Sequence, residues 1–320
     1  MAVYTPVTID DVQPLFDRLG LGPLQALQGC ASGIENTNYF ASTQRGEFVL
    51  TLFERLTFEQ LPYYLELMRH LARKGIPVPA PQADAQDQLL HRLKDKPAAV
   101  VTRLSGRSEM SPSPEQCAQL GALLARMHLA VADFPLRQPN LRGLAWWKDI
   151  TPTLLPHLSE TQARLLRSEV AFQDALAATA QAAALPRGAV HADLFRDNAM
   201  FDRGRLSGVF DFYFAGDDSF IFDLCVCLND WCIDPADVRP LPGHARQLLA
   251  GYATERALTP AEQQLLPAML RAAALRFWCS RLWDWHLPRK ADMLKPHDPG
   301  HFEKVLTLRR RESSPREADA

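Results

Sequence analysis

The chain has 320 residues, 47% hydrophobic and 22% charged, with a formal net charge of −2 and a sequence pI of about 6.5. That length suits two lobes rather than one minimal domain, and the composition is that of an ordinary globular protein. The near-neutral balance supplies no global basic field to recruit nucleic acid or an anionic membrane. No apolar run approaches the roughly 18 residues of a membrane span. The apolar stretch from Phe220 to Ile233 is itself broken by Asp223, Asn229 and Asp230. The first six residues lack both a basic leader and an apolar core, so no signal peptide is expected. The scattered cysteines (Cys30, Cys117, Cys225, Cys227, Cys232 and Cys279) read as buried thiols of a cytoplasmic protein. Cys225 and Cys227, two apart on a helix, point to different sides and make a poor metal pair.

Thr8, followed by Asp10 and Asp11 and by apolar Val12, Leu15, Phe16 and Leu19, predicts an amphipathic first helix that stops at Gly20. Residues 29–40 read as strand, loop, strand, and 47–54 as the next strand after a turn at Gln44-Arg45-Gly46. Thr57 to Lys74 is predicted helical, and prolines at 77, 79 and 81 force an extended path beyond it. Leu89-Leu90 and Ala98 to Val101 are expected to complete a small sheet. The polar stretch 103–112 marks the boundary between an N-terminal lobe, 1–103, and a C-terminal lobe, 104–320.

The second lobe reads as mainly helical. Ser113, Pro114 and Gln116 form a capping box ahead of the stripe Cys117, Leu120, Leu124, Met127 and Val131. His128, near the end of that helix, reads as a core-edge residue rather than a ligand. Residues 140–150 are expected as a loop and Ser159 to Leu185 as one long alanine-rich helix. Further helices are expected near 220–234, 242–256 and 260–287, with a short one from about 298. The fold class is therefore α+β and bilobal, with a small antiparallel sheet in the first lobe and a larger helical second lobe.

The chemistry concentrates in Val190 to Phe201 and Gly208 to Phe212. These stretches read as short strands around a polar loop that holds His191, Asp193 and Asn198, with Asp211 delivered by the last strand. His191 through Asn198 fits the phosphoryl-transfer pattern His-x-Asp-x-x-x-x-Asn, in which the Asp faces a substrate hydroxyl and the Asn holds a metal. Magnesium prefers oxygen ligands, and Asn198 and Asp211 supply them. Ser32, Gly33, Asn36, Thr37 and Asn38, between paired strands, can offer N–H groups and small polar side chains to phosphates. The backbone from Val101 to Leu104 is the expected hinge for an adenine.

Together these features resemble the aminoglycoside phosphotransferase and choline kinase superfamily, a branch of the protein-kinase-like fold. The stretches 33–40 and 48–54, with His191 to Asn198, Asp211 to Ala215 and Arg276 to Asp284, narrow the resemblance to its bacterial homoserine kinases. The resemblance implies transfer of a phosphoryl group from ATP, with Mg2+, to the hydroxyl of L-homoserine. It implies that Asp193 is the base, with His191 and Arg196 beside it in the catalytic loop, that Asn198 and Asp211 hold the metal, and that 32–38 covers the phosphates. One departure from the superfamily is Thr51, which stands where a phosphate-pairing Lys is usual; Arg55 or Arg196 could compensate, and Glu66 is the candidate partner acid. For the acceptor, Arg276 and Arg281 are candidate cations and Asp217, Asp218 and Asp284 candidate acids, with Arg281 preferred for a carboxylate because its planar fork binds two oxygens. A choline or ethanolamine kinase, with Trp278, Trp283 and Trp285 as a cage, and a nucleotide-sensing pseudokinase remain the alternatives.

Overall fold

The computed structural model describes residues 5–30, 36–287 and 296–313. Ser32 and Gly33 lie outside the described residues. The chain divides into two compact units. The first comprises 1–107 with 200–203 and 207–213; the second comprises 108–199, 204–206 and 214–320.

In the first unit, α1 (Ile9–Arg18) is followed by β1 (Leu24–Gly29), β2 (Thr37–Thr43), β3 (Gly46–Leu52), α2 (Leu61–Arg73), β4 (His91–Leu93) and β5 (Lys96–Thr102). The strands form an antiparallel sheet in the order β1-β2-β3-β5-β4. The start of α1 is set by a complete capping box, in which Thr8 and Asp11 each satisfy the other's backbone N–H. Gly20, at φ +66°, ends the turn that follows. Burial alternates strictly along β2. One face of the sheet, with Tyr39, Ala41, Leu50 and Leu52, packs with Val12, Leu15 and Phe16 of α1 as a core. Asn38, Phe40, Val49 and Thr51 belong to the other face.

The boundaries differ from expectation where proline intervenes. β3 stops at Leu52, short of Glu54, because Phe53 donates to Pro97 O (2.9 Å) and Pro97 has no N–H to return the bond. α2 starts at Leu61 rather than Thr57, since Pro62 is tolerated in a first turn and not in an interior. The strand expected at Leu89-Leu90 begins instead at His91. It pairs with β5 through a two-residue turn whose Lys94 and Asp95 both have positive φ (49° and 59°), matching strand twist.

The second unit holds α3 (Pro114–Ala130), α4 (Leu144–Leu154), α5 (Glu160–Ala177), α6 (Ala180–Ala183) and β6 (Arg187–Val190) in chain order; β7 (Ala199–Asp202) and β8 (Arg205–Val209) follow as a hairpin most of whose residues belong to the first unit. Then come β9 (Gly216–Ser219), α7 (Phe220–Trp231), α8 (His244–Glu255), α9 (Pro260–His286) and α10 (Gly300–Ser313). The stretch 140–150 is not all loop: α4 forms because Trp147, Ile150 and Leu154 fall on one buried face. The single helix expected from Ser159 to Leu185 is two, because Thr179 accepts from Ala182 N (3.2 Å) and caps a new start. All six cysteines are buried and none forms a disulfide. Cys225 and Cys227 send their sulfurs to different carbonyls, Leu266 O and Leu194 O. Among the described residues no helix is long and apolar enough to cross a membrane.

α3 and α8 pack backbone to backbone. A Cβ on Gly121 would lie 2.1 Å from Leu248 O, and one on Gly251 would lie 2.0 Å from Ala118 O. Two helix-interior glycines, each unfavourable for the helix itself, are the condition for this approach. Gly251→Ala should therefore destabilise the protein by about 2 kcal/mol despite the better helix propensity of alanine. Chemical denaturation monitored by circular dichroism reads this out; an unchanged or raised midpoint would contradict the contact.

Candidate active site

The loop between β6 and β7 is shaped by its own short-range bonds. Phe195 N donates to Asp193 O (2.8 Å), Asn198 N to Phe195 O (3.0 Å), and Asn198 Nδ2 to Asp193 O (2.8 Å). That last bond orients the Asn198 amide: its nitrogen faces the carbonyl, so Oδ1 is turned away as an oxygen donor. His191 is buried, and its Nδ1 accepts from Asp193 N (3.3 Å). The ring thus holds the backbone of Asp193. Ala192, between them, sits at φ +62°, a left-handed conformation that is costly for a residue with a Cβ.

The strain at Ala192 is held from outside the loop by Asp223 of α7. Its carboxylate accepts from His191 N (3.0 Å) and Ala192 N (2.8 Å), and from His128 Nε2 of α3 (3.1 Å). His128 Nδ1 in turn meets Tyr252 Oη of α8 (2.7 Å), which also accepts from Arg256 Nη1 (2.9 Å), itself paired with Glu262. His128 thus bridges the Tyr252 hydroxyl, on its Nδ1 side, and the Asp223 carboxylate, which accepts on its Nε2 side. Burial by itself would raise the Asp223 carboxyl, but the His128 bond and the loop N–H groups hold it below the ordinary value of 3.8.

The remaining anchors lie on the same face of α7. Leu194 O accepts from Trp231 Nε1 (3.0 Å) and Cys227 Sγ (3.5 Å), and Asp230 Oδ2 accepts from Arg196 N (2.8 Å) and Nε (3.1 Å). Positions 223, 227, 230 and 231 recur at helical spacing, so one helix face grips the loop from His191 to Arg196. Arg196 is 5% exposed and also donates to Met110 O, Asp230 O and Ile233 O. It ties the loop to its surroundings and is not a cation held out for phosphates, which corrects the expectation that it could replace a lysine. Asp223, Asp230 and His128 were not singled out as functional in the sequence. The available signal was two acids inside the apolar run FIFDLCVCLNDW, because a buried acid must be paired.

In the first unit, Thr51 is 6% exposed and donates to Asn38 Oδ1 (2.7 Å), its cross-strand partner in the β2–β3 register. Asn36 Oδ1 accepts from Glu54 N (3.4 Å), and Thr37 Oγ1 donates to Glu54 Oε1 (2.7 Å). Arg55 lies beyond the end of β3, so strand parity does not align it with Thr51. Glu66 binds Arg69 of its own helix at 2.7 Å. Val101 lies within β5, paired with Val49; Thr102 N donates to Ala80 O and Arg103 N to Glu47 O (both 3.0 Å), which brings the first N–H past the sheet to Leu104. Asp211 belongs to this unit and adopts φ +67°.

Among the residues expected to meet an acceptor, the second unit separates the two arginines. Arg276 is 3% exposed with Nη2 3.4 Å from Asp193 Oδ1. Arg281 instead lies over the Phe302 ring, 4.5 Å from its centroid, and reaches Asp298 O at 3.5 Å. Asp218 is engaged by Asn140 Nδ2 (2.9 Å) and Arg187 (3.3 Å), and Asp217 lies 3.7 Å from Arg137. Asp284 is exposed on α9. Trp278 is buried in the core while Trp285 is 44% exposed, so these two do not gather into one cage.

Asp223→Ala would leave two buried N–H groups and one ring N–H without their acceptor, and should cost about 3 kcal/mol or more. Because the folded-state carboxyl lies below 3.8, this contribution is complete at neutral and mildly acidic pH. It is lost only as pH falls through the lowered value. Urea denaturation of both proteins should therefore give a difference that is flat above about pH 5 and closes in strong acid. A difference that instead grows on acidification would contradict the assignment.

Residues 26–258 match the phosphotransferase enzyme family. Homoserine kinase of Polaromonas naphthalenivorans is 59% identical over 309 residues, covering 97% of this chain and 98% of that protein. Homoserine kinase of Janthinobacterium sp. is 53% identical over 315 residues, covering 98% of each. Among solved structures, amicoumacin kinase hAmiN superposes with a TM-score of 0.68 at 20% identity, covering 94% of this chain and 92% of that one. A choline/ethanolamine kinase family protein from Mesorhizobium loti gives 0.62 at 18%, covering 96% of each. At such identities the structures speak to the fold, which is the bilobal protein-kinase-like one. On the sequence relationships, the chain belongs to the homoserine kinase family, within the phosphotransferase enzymes.

Proposed function

We propose that this enzyme transfers the γ-phosphoryl group of ATP to the hydroxyl of L-homoserine, giving O-phospho-L-homoserine for threonine biosynthesis. The observation that carries the reading is the Asp193–Asn198 loop, whose strained backbone is held by the buried Asp223, in a chain 59% and 53% identical over nearly its whole length to two homoserine kinases. Residues 1–103 would serve as the nucleotide lobe and 104–320 as the catalytic and acceptor lobe. The buried thiols suit a cytoplasmic setting.

Each residue has a distinct part. Asp193 accepts the proton of the acceptor hydroxyl as that oxygen attacks, so its position relative to the hydroxyl matters more than its basicity. His191 fixes the Asp193 backbone, and Arg196 with Asp230 fixes the other end of the loop. Asn36, Thr37 and Asn38, with Ser32 and Gly33 before them, would line the phosphates, and Leu104 would meet the adenine edge. The outward Oδ1 of Asn198 and the carboxylate of Asp211 are hard oxygen donors that fit magnesium. When bound, magnesium would neutralise charge on the phosphates.

An ADP-release assay with L-homoserine, choline, ethanolamine and 3-aminopropanol tests the acceptor. L-Homoserine should be used with a specificity constant well over tenfold higher than any of the others, because a site built for both charged ends leaves a buried group unpaired when one end is missing. Comparable constants for choline and homoserine would sink the assignment. Asp193→Asn should reduce turnover by about two orders of magnitude or more while ATP still binds, as measured by titration. Near-normal turnover in a folded Asp193→Asn protein would remove it from the base role.

A further inference from the structure

Two of the arginines of α9, Arg271 and Arg276, are in different states. Arg271 grips Glu169 with its Nε–Nη2 edge, Nε to Oε1 at 2.9 Å and Nη2 to Oε2 at 2.7 Å, a two-point fork on a carboxylate. Arg276, five residues on, presents the same edge, yet among the described residues neither its Nε nor its Nη2 has a hydrogen-bond partner. Arg276 is 3% exposed, and Asp193 Oδ1 stands 3.4 Å from its Nη2, an ion pair without a hydrogen bond. The guanidinium lies over the ring of Phe277, 3.9 Å from charge centre to centroid, and over that of Phe214 at 5.1 Å.

Leaving donors of a buried cation unmet is costly. Burial lowers Arg276 only to about 10, so it is charged at neutral pH. The groups that act on it most strongly are two acids, Asp193 and Asp284, and two further cations, Arg142 and Arg281. A buried, charged fork edge with unmet donors is complementary to a single carboxylate.

We propose that Arg276 determines acceptor specificity, its Nε–Nη2 edge binding the α-carboxylate of a short hydroxy amino acid whose hydroxyl meets Asp193. The proposal rests on the kinase reading above and replaces Arg281, expected from the sequence, with Arg276. The contact between Arg276 and Asp193 also limits acceptor length. A carboxylate on one and a hydroxyl on the other must be separated by only a few bonds, as in a four-carbon amino acid.

The test compares the full-length wild type with Arg276→Met and Arg276→Lys, using L-homoserine and 3-aminopropanol, which is homoserine without its carboxylate. Arg276→Met should raise the KM for L-homoserine roughly a hundredfold, the worth of a charge-assisted bond. The preference for L-homoserine over 3-aminopropanol should collapse by a similar factor, and the KM for ATP should stay unchanged. Arg276→Lys, which keeps the charge without the fork, should fall between, and decides the question on the same ratio if the methionine variant does not fold. Thermal protection by L-homoserine should be lost in the variants while protection by AMP-PNP is kept. Equal losses on both acceptors would mean that Arg276 serves Asp193 rather than the carboxylate, and a raised KM for ATP would mean that it serves a phosphate; either overturns the proposal. A wild type inactive on L-homoserine would overturn the kinase reading and this proposal with it, whereas an active wild type with unchanged selectivity in the variants would overturn the proposal alone.

Discussion

The buried carboxylate of Asp223 is the constraint on which the geometry of the second unit's reaction loop depends. It joins three elements: α7, which carries it; α3, through His128; and the loop, through the N–H groups of His191 and Ala192. An isolated carboxylate at 0% exposure would be prohibitively costly, so the acid selects a fold that brings its three donors together. The same requirement explains how Ala192 holds a left-handed φ of 62° without glycine. The loop is bent by bonds it would lose if it relaxed.

Behind Asp223 the constraint runs into the helix packing. His128 can reach both Asp223 and Tyr252 only if α3 and α8 approach closely, and Gly121 and Gly251 permit that approach. Beyond Tyr252, Arg256 and Glu262 end the chain of partners in a buried ion pair. Polar groups placed this deep add less to net stability than apolar replacements of equal volume could. What they supply is a single arrangement of the loop, which is what positioning a hydroxyl and a proton acceptor requires.

The first unit answers the missing lysine differently. Thr51 is not an exposed stand-in for a cation: it is a buried cross-strand partner of Asn38, and its hydroxyl has a defined acceptor. Glu66, the candidate acid read from the sequence, is held by Arg69. The two arginines read from the sequence as substitutes are placed by local constraints. Arg55 falls beyond the point where Pro97 ends the ladder, and Arg196 is drawn into Asp230.

The sequence alone determined what depends on neighbours along the chain. The capping boxes at Thr8, Ser113, Ser159 and Thr259 are complete within four residues each, and the helices they start follow from a 3.6-residue apolar period. The spacing of His191, Asp193, Asn198 and Asp211 was legible for the same reason, since a short loop between short strands can present its polar residues in few ways. Tertiary structure decided whatever depends on partners distant in sequence. His128 and Asp223 are 95 residues apart and Asp193 and Arg276 are 83 apart. Arg276 and Arg281 are indistinguishable as letters, both in the helix RFWCSRLWDWH. Five residues of helical rotation turn one toward the reaction loop and the other toward Phe302. An arginine's role is set by which acid its fork meets, and that is a property of packing.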